Sequence, residues 1–583
     1  MSPETSPQLL WLEGVNFTET LQDTTTLSVI RGASLALLAA PDIALSFLQR
    51  HAPDAGYEKL FGGASIALFR ANRTADAICA DAEALLKHLH DYEEEPDKTG
   101  AKPPLAHLRF VVGTAADEGT AAGPALAQAR ARAAQLSGHL PRRAQEPGQE
   151  PCLFSQQRVA DTMLKLSQDH AARFGAKAKE VPVSRSALAR WYYGRDQRQN
   201  FYLSRPALRE RLGAFRLTDN LQDMVDLSSR AERPGTSDCE RYGNSLPFAL
   251  FDKLALVYAD GNGFGHIRRA MGGTPEALAQ FSTQADEVVS QALAAAFGII
   301  AGEARARHRA AAVFHNAEAE RPEDQDQLRF ETLLYGGDEI AFVAPAWFGL
   351  AMAAEFFTAV QNKAVTWKQG CQEFCAPLTF SMGLALVNVK MPIRASYELA
   401  EALSKSCKPK AVDSDATIPL DQVRKNRLAI HAFEGIEPPG NGLQALRNGL
   451  FGETRIMHGG EPSRYSIAHP LLALDGDSFA QDLAHFAALK ADGSLPRSQL
   501  FRMLAAAQWP DRDGVGFGAQ QKLNETPSNA AAAKIFKAYM PGHGAGRLPG
   551  FAACLADNNK AAMAAWLMTH LWDYVAPLKD AES

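Results

Sequence analysis

Apolar and polar positions alternate in a way that makes two stretches of the chain read alike, with a third that does not follow them. In the first stretch, residues 7–15 (Pro-Gln-Leu-Leu-Trp-Leu-Glu-Gly-Val) predict a strand and residues 17–39 a helix. After Pro41 and a short helix, Tyr57 to Phe69 predicts strand, a Gly62-Gly63 turn, then strand. A helix over Thr74 to His90, a Pro-Gly break over Pro96 to Pro104 and a strand over Leu105 to Gly113 complete the order β-α-β-β-α-β, the ferredoxin-like pattern. The second stretch opens on the apolar run Leu254 to Ala259, a buried strand that ends in Asp260-Gly261-Asn262-Gly263-Phe264-Gly265. Helices over Pro275 to Ala301 and Ala310 to Ala319 follow, then two strands around Gly336-Gly337. A helix over Ala346 to Lys363, a strand over Ala376 to Val389 and a helix over Ala395 to Lys408 close the unit. Its order, β-α-α-β-β-α-β with a terminal helix, echoes the first and suggests an internal duplication. Only the second Gly-Gly hairpin carries carboxylates.

Between the two units, Ala121 to Leu136 reads as an Ala-rich helix, Pro141 to Pro151 as a charged linker, and Asp161 to Phe215 as helical. The last contains Arg185, Arg190, Arg195, Arg198, Arg205, Arg209 and Arg211, which suit a solvated helical face or a phosphate-contacting surface. Beyond Ile430 the periodicity weakens to amphipathic segments at Phe479 to Lys490 and Gln499 to Gln508, a polar loop over Asp511 to Asn529 and a helix over Lys560 to Val575. The expected class is α+β, with two ferredoxin-like units at 1–140 and 250–430, a helical segment at 141–249 and a helical domain at 431–583.

At 583 residues the chain exceeds what a single growing core accommodates, so several domains are expected. Apolar residues at 46% and charged residues at 22% are ordinary for a globular protein, and the net charge of −6 argues against a strongly basic nucleic-acid binder while leaving a local basic groove open. Met1 to Leu10 lacks the pattern of a secretory signal, and the longest apolar run, Ala292 to Ala301, falls short of the ~20 residues of a membrane span. Seven scattered cysteines do not form a disulfide framework. A reducing, cytoplasmic setting is predicted.

Chemistry concentrates at two strand ends. Gly336-Gly337 supplies the positive φ of a tight hairpin, which puts Asp338 and Glu339 at its tip. A ferredoxin-like sheet sets its first strand beside that hairpin, bringing Asp260 within a few ångströms of both acids. Phosphoryl or nucleotidyl transfer by two divalent ions needs such carboxylates. Gly261, Gly263 and Gly265 would let backbone N–H groups approach a triphosphate at a helix N-terminus. Taken alone, Asp-Gly-Asn-Gly is equally a common turn or part of a calcium loop, although Met271 stands where an EF-hand needs Glu. Downstream, Thr379-Phe380-Ser381-Met382-Gly383 lies on the next strand and Lys408 closes the last helix, as a phosphate contact or a dipole partner.

Asp-Gly-Asn-Gly-Phe-Gly, Gly-Gly-Asp-Glu, Thr-Phe-Ser-Met-Gly and Lys408 together resemble the Palm polymerase/cyclase domain in the large subunit of type III CRISPR effector complexes. Arg31-Gly32-Ala33-Ser34 and Gly62-Gly63-Ala64 are similar to that family's degenerate first Palm. Val183-Ser184-Arg185-Ser186, with Arg190, Gly194-Arg195 and Phe201-Tyr202, is similar to its inter-Palm segment, and Leu495-Pro496-Arg497-Ser498-Gln499-Leu500 to its C-terminal helical domain. The resemblance implies a cyclase that joins ATP through 3′-hydroxyl attack on an α-phosphate, giving cyclic oligoadenylates. It implies two Mg²⁺ or Mn²⁺ ions on Asp260, Asp338 and Glu339, the last where the family usually has Asp. It implies nucleotide contacts from Gly261, Asn262, Gly263, Phe264, Gly265, Gly336, Gly337, Ser381 and Lys408. The implied partners are guide RNA, other effector subunits and an activating target RNA, with no membrane.

Departures from the family are visible too. His90-Asp91 lacks the remaining ligands of an HD phosphohydrolase, so DNA cleavage is not expected. Cys152 stands alone where paired zinc cysteines are usual, and Cys371 with Cys375 lies elsewhere. Ile340 in place of Phe, and the lack of an Arg-x-x-Asp inhibitory site, disfavour a diguanylate cyclase. A stand-alone cyclic dinucleotide synthase and a non-catalytic nucleotide-binding scaffold remain as alternatives.

Overall fold

In the computed structural model, the described residues are 6–15, 23–24, 26–63, 65–92, 101–137, 150–155, 158–165, 180–218, 220–227, 246–305, 309–316, 325–369, 372–408, 425–440, 442–443, 454–458, 461–465, 473–508, 529–539, 554–556 and 561–576. Most of the expected linker over Pro141 to Pro151 and of the polar loop over Asp511 to Asn529 lies outside them, as does Cys371.

Strand β1 (Ser6–Val15) is covered on both faces, because its side chains alternate between two apolar clusters. Leu10 and Leu12 join the main core, while Leu9 and Trp11 meet Ala127 and Ala131. After α1 (Leu27–His51), β2 (Glu58–Gly63), β3 (Ile66–Arg73), α2 (Ala75–His90), β4 (Arg109–Ala116) and α3 (Ala122–Ser137), the antiparallel sheet has the order β2-β3-β1-β4. Pro41 does not break α1, contrary to expectation. Proline removes the N–H that Leu37 O would accept, and the Ser65 N–H supplies a donor instead at 3.3 Å.

The segment expected to be helical from Asp161 begins as a strand pair, β5 (Thr162–Lys165) with β6 (Glu180–Val183). Leu164, Val181 and Val183 bury there against Phe154 and Trp191, a demand for period-two packing that the Arg-rich composition masked. Helices α4 (Arg185–Asp196), α5 (Arg198–Leu203) and α6 (Pro206–Leu212) follow, then β7 (Arg216–Leu217) and α7 (Leu221–Val225). Arg190 is fully buried on α4 and grips Asp23 through two nitrogens at 2.9 and 3.0 Å, so this arginine is no part of a solvated face.

The second unit contains β8 (Lys253–Gly261), α8 (Phe264–Ala270), α9 (Pro275–Glu303), α10 (Arg309–Ala312), β9 (Val313–His315), β10 (Asp326–Leu328), β11 (Glu331–Gly336), β12 (Glu339–Pro345) and α11 (Ala346–Val360). A ribbon of β13 (Ala364–Gln369) and β14 (Gln372–Pro377) precedes β15 (Phe380–Asn388), α12 (Ile393–Cys407) and β16 (Arg427–Ala432). A small hairpin, β17 (Thr454–His458) and β18 (Glu461–Tyr465), leads to β19 (Leu474–Asp475). The large sheet has the order β11-β12-β8-β15-β16-β19. Two expectations are corrected here. The helix read over Ala310 to Ala319 ends at Ala312, because Val313–His315 pairs with β10, and the strand read from Ala376 belongs to two separate sheets. Helices α13 (Phe479–Ala491), α14 (Arg497–Gln508), α15 (Asn529–Tyr539) and α16 (Ala561–Leu571) pack around Phe486, Leu500, Met503, Phe536 and Met568.

Helices α1 and α9 are, contrary to the sequence reading, long and apolar enough to cross a membrane, but 72% and 56% of their most apolar windows are buried inside the protein. Their apolar faces are accounted for by packing against the two sheets and each other's neighbours.

The two units repeat each other position by position. Gly14 N donates to Ser65 O at 2.6 Å, and Gly261 N to Asp338 O at 2.9 Å. Each hairpin carries one register shift at the same distance from its tip, between Lys59 and Phe61 and between Thr332 and Leu334. A methyl group on Gly113 would overlap Ala127 O in α3, and one on Gly383 would overlap Ala400 O in α12. The register equates Gly63 with Gly336, so the two Gly-Gly pairs are offset by one residue. The tips abut: a methyl on Gly63 would lie 3.7 Å from Gly337 N.

Candidate nucleotidyl-transfer site

Strand β8 is buried along its whole length, and its last residues sit between β12 and β15. The register sets Asp260 opposite Glu339 on one side and opposite Ser381 on the other. Side chains alternate across a strand, so Asp260 shares a face with Tyr258, two residues earlier. That face is covered by α12, whose Tyr397 meets Tyr258 edge-on with ring centroids 5.5 Å apart. At the hairpin, Gly337 alone takes positive φ, at 59°, as the first of two turn residues, and Asp338 is the second. Glu339 is therefore not at the tip, as expected from the sequence, but is the first residue of β12, which is why it faces Asp260 directly.

Burial raises the Asp260 carboxyl above its ordinary value; the Lys408 ammonium pulls it back and the Asp338 charge adds to the rise. Glu339 is pushed up to about 7, first by burial and then by the charges of Asp260 and Asp338, while the Tyr258 hydroxyl donates to it and opposes the rise. Tyr258 and Tyr397 are both raised well above the usual phenol range by burial and by the Glu339 charge. Lys408 caps α12 and makes an ion pair with Asp260 Oδ2, where the sequence suggested a phosphate contact. Lys405 and Glu401 lie one and two turns earlier on α12 and pair with each other at 2.6 Å.

Of the three glycines read as a phosphate cradle, Gly263 has φ 66° and starts α8, a helix of seven residues. Gly261 is needed because the Phe264 ring folds over it, and Gly265 is open apart from the Arg269 guanidinium. Phe264 is buried edge-on against Phe281 and Phe380. Asn262 is also buried; its N–H donates to Thr379 O at 2.7 Å, its amide donates to Lys425 O at 3.2 Å, and its Oδ1 accepts the Ser381 hydroxyl at 2.7 Å. Ser381 is fully buried in turn, and its carbonyl accepts from Ser404 Oγ at 2.7 Å. Asn262 and Ser381 thus tie the ends of β8 and β15 together beside Asp260, with their side-chain polar atoms engaged within the protein, and Phe264 packs against Phe380.

The structure brings together Asp260, Asp338, Glu339 and Lys408, with Gly336 closing β11 opposite Glu339 and Gly337 opening the turn that carries Asp338. Tyr258, Tyr397, Glu401 and Lys405 were missed. The spacing of 401, 405 and 408 along one helix face was legible, but its target was not. Among the described residues, no three His, Cys, Asp or Glu side chains close into a metal cage. The donor set still suits a hard cation: these are carboxylate oxygens only, and Mg²⁺ typically takes one or two carboxylates and completes its shell with water and phosphate oxygens.

No protein-family model matches the chain, and no curated protein matches it. Among solved structures it is similar to Csm1, the large subunit of type III CRISPR complexes. Against Csm1 in T. onnurineus the identity is 12% and the TM-score 0.47, covering 99% of this chain and 70% of that one. Against the Csm1-Csm4 cassette in complex with cA4 the values are 12% and 0.45, covering 97% and 70%; against the cassette in complex with AMPPNP they are 12% and 0.46, covering 99% and 70%.

Proposed function

We propose that the chain is a divalent-metal-dependent nucleotidyl cyclase that makes cyclic oligoadenylates from ATP as a Palm-containing subunit of a type III CRISPR-like effector. The observation that carries this is the register of β8 against β12, which sets Asp260 opposite Glu339 beside the Asp338 turn. ATP, adenylate products and RNA activation enter through the resemblance of the motifs at 260–265, 336–339, 379–383 and 408. Boundaries at residues 140, 249 and 430 belong to the same proposal.

In each turnover a ribose 3′-oxygen bonds to the α-phosphorus of a second nucleotide, the Pα–O bond to pyrophosphate breaks, and the hydroxyl proton leaves to solvent. Asp260, Asp338 and Glu339 would hold the cations, which when bound neutralise phosphate charge and acidify the attacking hydroxyl. Gly336 and Gly337 leave the approach to the turn free of side chains other than the Asp338 carboxylate, where a nucleotide would enter. The Gly261 N–H bonded to Asp338 O holds the hairpin acids beside Asp260, the Asn262-Ser381-Ser404 chain of hydrogen bonds fixes the end of β8 against β15 and α12, and Lys408 would meet a phosphate once it leaves Asp260.

Incubating the full chain with labelled ATP and Mg²⁺ or Mn²⁺, alone and with partner subunits and RNA, tests this. Cyclic product is expected, and Asp260→Ala and Asp338→Ala should each lower it by at least about a hundredfold with the fold intact. Absence of product under every condition would leave the nucleotide-binding scaffold as the better account. Product from the isolated chain would favour a stand-alone synthase.

A further inference from the structure

Lys408 stands where a cation would have to arrive. Its ammonium pairs with Asp260 Oδ2, and its side chain is 32% exposed against 12% for the aspartate. The pair therefore sits at the rim of the site, with the carboxylate buried and the lysine reaching it from the solvent side. Lys408 is the first residue past α12, beyond the last helical turn, so its long stem can swing without unwinding the helix. The other nearby lysine, Lys405, is engaged by Glu401 and acts on Asp260 only at longer range.

The repeated unit provides an internal comparison. Glu13 occupies the place of Asp260, because Gly14 bonds Ser65 as Gly261 bonds Asp338. The hairpin acids are absent there, replaced by Ser65 and Ile66. With Ala131 in the place of Ser404, the position four residues further on is Gln135 rather than lysine. Glu13 instead accepts from Trp11 Nε1 at 3.0 Å, with Arg132 3.9 Å away. The lysine occurs in the copy that carries the three acids.

An ammonium and a divalent cation cannot share one carboxylate oxygen without strong like-charge repulsion at close range. We propose that Lys408 is a latch: it is the counter-ion of Asp260 in the metal-free protein, it competes with the divalent cation for that carboxylate, and it is released when the cation binds. This rests on the metal-site assignment made above, and it adds a gate to that site. Such a gate keeps Asp260 compensated while no metal is bound, and it couples metal arrival to the freeing of a positive charge for phosphate.

The test is Mn²⁺ binding to the full chain without nucleotide, followed by calorimetry and by the electron-spin resonance of free Mn²⁺. Lys408→Met is expected to bind Mn²⁺ about tenfold more tightly than the natural protein. Lys408→Arg, which keeps the charge, should bind like the natural protein, and Asp260→Asn should lose the site in either background. Equal or weaker Mn²⁺ binding by Lys408→Met overturns the latch. If no variant binds Mn²⁺, the latch and the metal site both fall. If Lys408→Met gains affinity through Asp260 but no form makes product from ATP, the latch stands and the cyclase assignment fails. Circular dichroism of each variant separates these outcomes from misfolding.

Discussion

Asp260, Asp338 and Glu339 differ in what holds them, and that difference is measurable. Glu339 faces Asp260 across one strand pair and is raised from 4.5 to about 7 in the folded, metal-free chain. Between these values the folded state holds more protons than the unfolded one, so stability falls as pH rises. Its contribution is full below pH 4.5 and lost as pH passes about 7. Thermal melting of the metal-free protein and of Glu339→Gln across that window should show the natural protein losing ground steadily, with the variant at least as stable above pH 7. Curves that run parallel would mean that Glu339 is not held among like charges. Ser381 belongs to this scale as well. Its hydroxyl is committed to Asn262, so Ser381→Ala should weaken nucleotide turnover through loosened strand ends, seen as a lower melting temperature, rather than through lost nucleotide affinity.

At the scale of elements, the site depends on how closely α12 lies on the sheet. Gly383 allows that approach, since a methyl group there would overlap the Ala400 carbonyl and crowd Ser404 N at 2.6 Å. Gly383→Ala is expected to cost about 1–3 kcal/mol in denaturant unfolding and to move Lys408 off Asp260. Gly302→Ala, where a methyl meets nothing within 4 Å, serves as the control and should leave stability unchanged or higher. The same close approach at Gly113 shows that helix-on-sheet spacing is a property of the repeated unit and not of the acid-bearing copy alone. The β-α-β-β-α-β order of the first unit was legible from periodicity; in the second, read as β-α-α-β-β-α-β, the strand at Val313–His315 and the split after Pro377 were not. The strand pair β5 and β6 was not, because two four-residue strands leave too short a pattern to stand out among arginines.

Across the whole molecule, the units are joined by charge, buried at Arg31–Glu331 and exposed at Arg70–Glu276. Arg31 on α1 pairs with Glu331 at the base of the hairpin that carries Asp338 and donates to Gly194 O at 3.1 Å. Gly32 and Gly194 let α1 and α4 cross with backbones in contact. Tyr202 reaches Thr332 at 2.8 Å beside that pair, and Arg70 of the first sheet bonds Asp117 at 2.6 Å and also Glu276 at the start of α9. Glu331→Ala leaves Arg31 buried without its carboxylate and is expected to lower unfolding free energy by about 3–5 kcal/mol, whereas Arg31→Met with Glu331→Leu should be much milder. Denaturant melts of the two variants decide it; equal losses would show that the pair does not join the units through charge. The motif Arg31-Gly32-Ala33-Ser34, conspicuous in the sequence, is in these terms a joint.

The sequence by itself determined the two repeated strand-and-helix patterns, the hairpin that needs glycine, and the three acids, since each is a matter of neighbouring residues and their faces. Only the tertiary structure decided that Glu339 opens a strand, that the glycine pairs are offset by one, that Pro41 stays helical through Ser65, and that Lys408 holds Asp260 from 148 residues away. The physical reason is common to all four. Local pattern sets which way a side chain points, but sheet register and helix approach set what it meets, and those depend on partners distant in the chain.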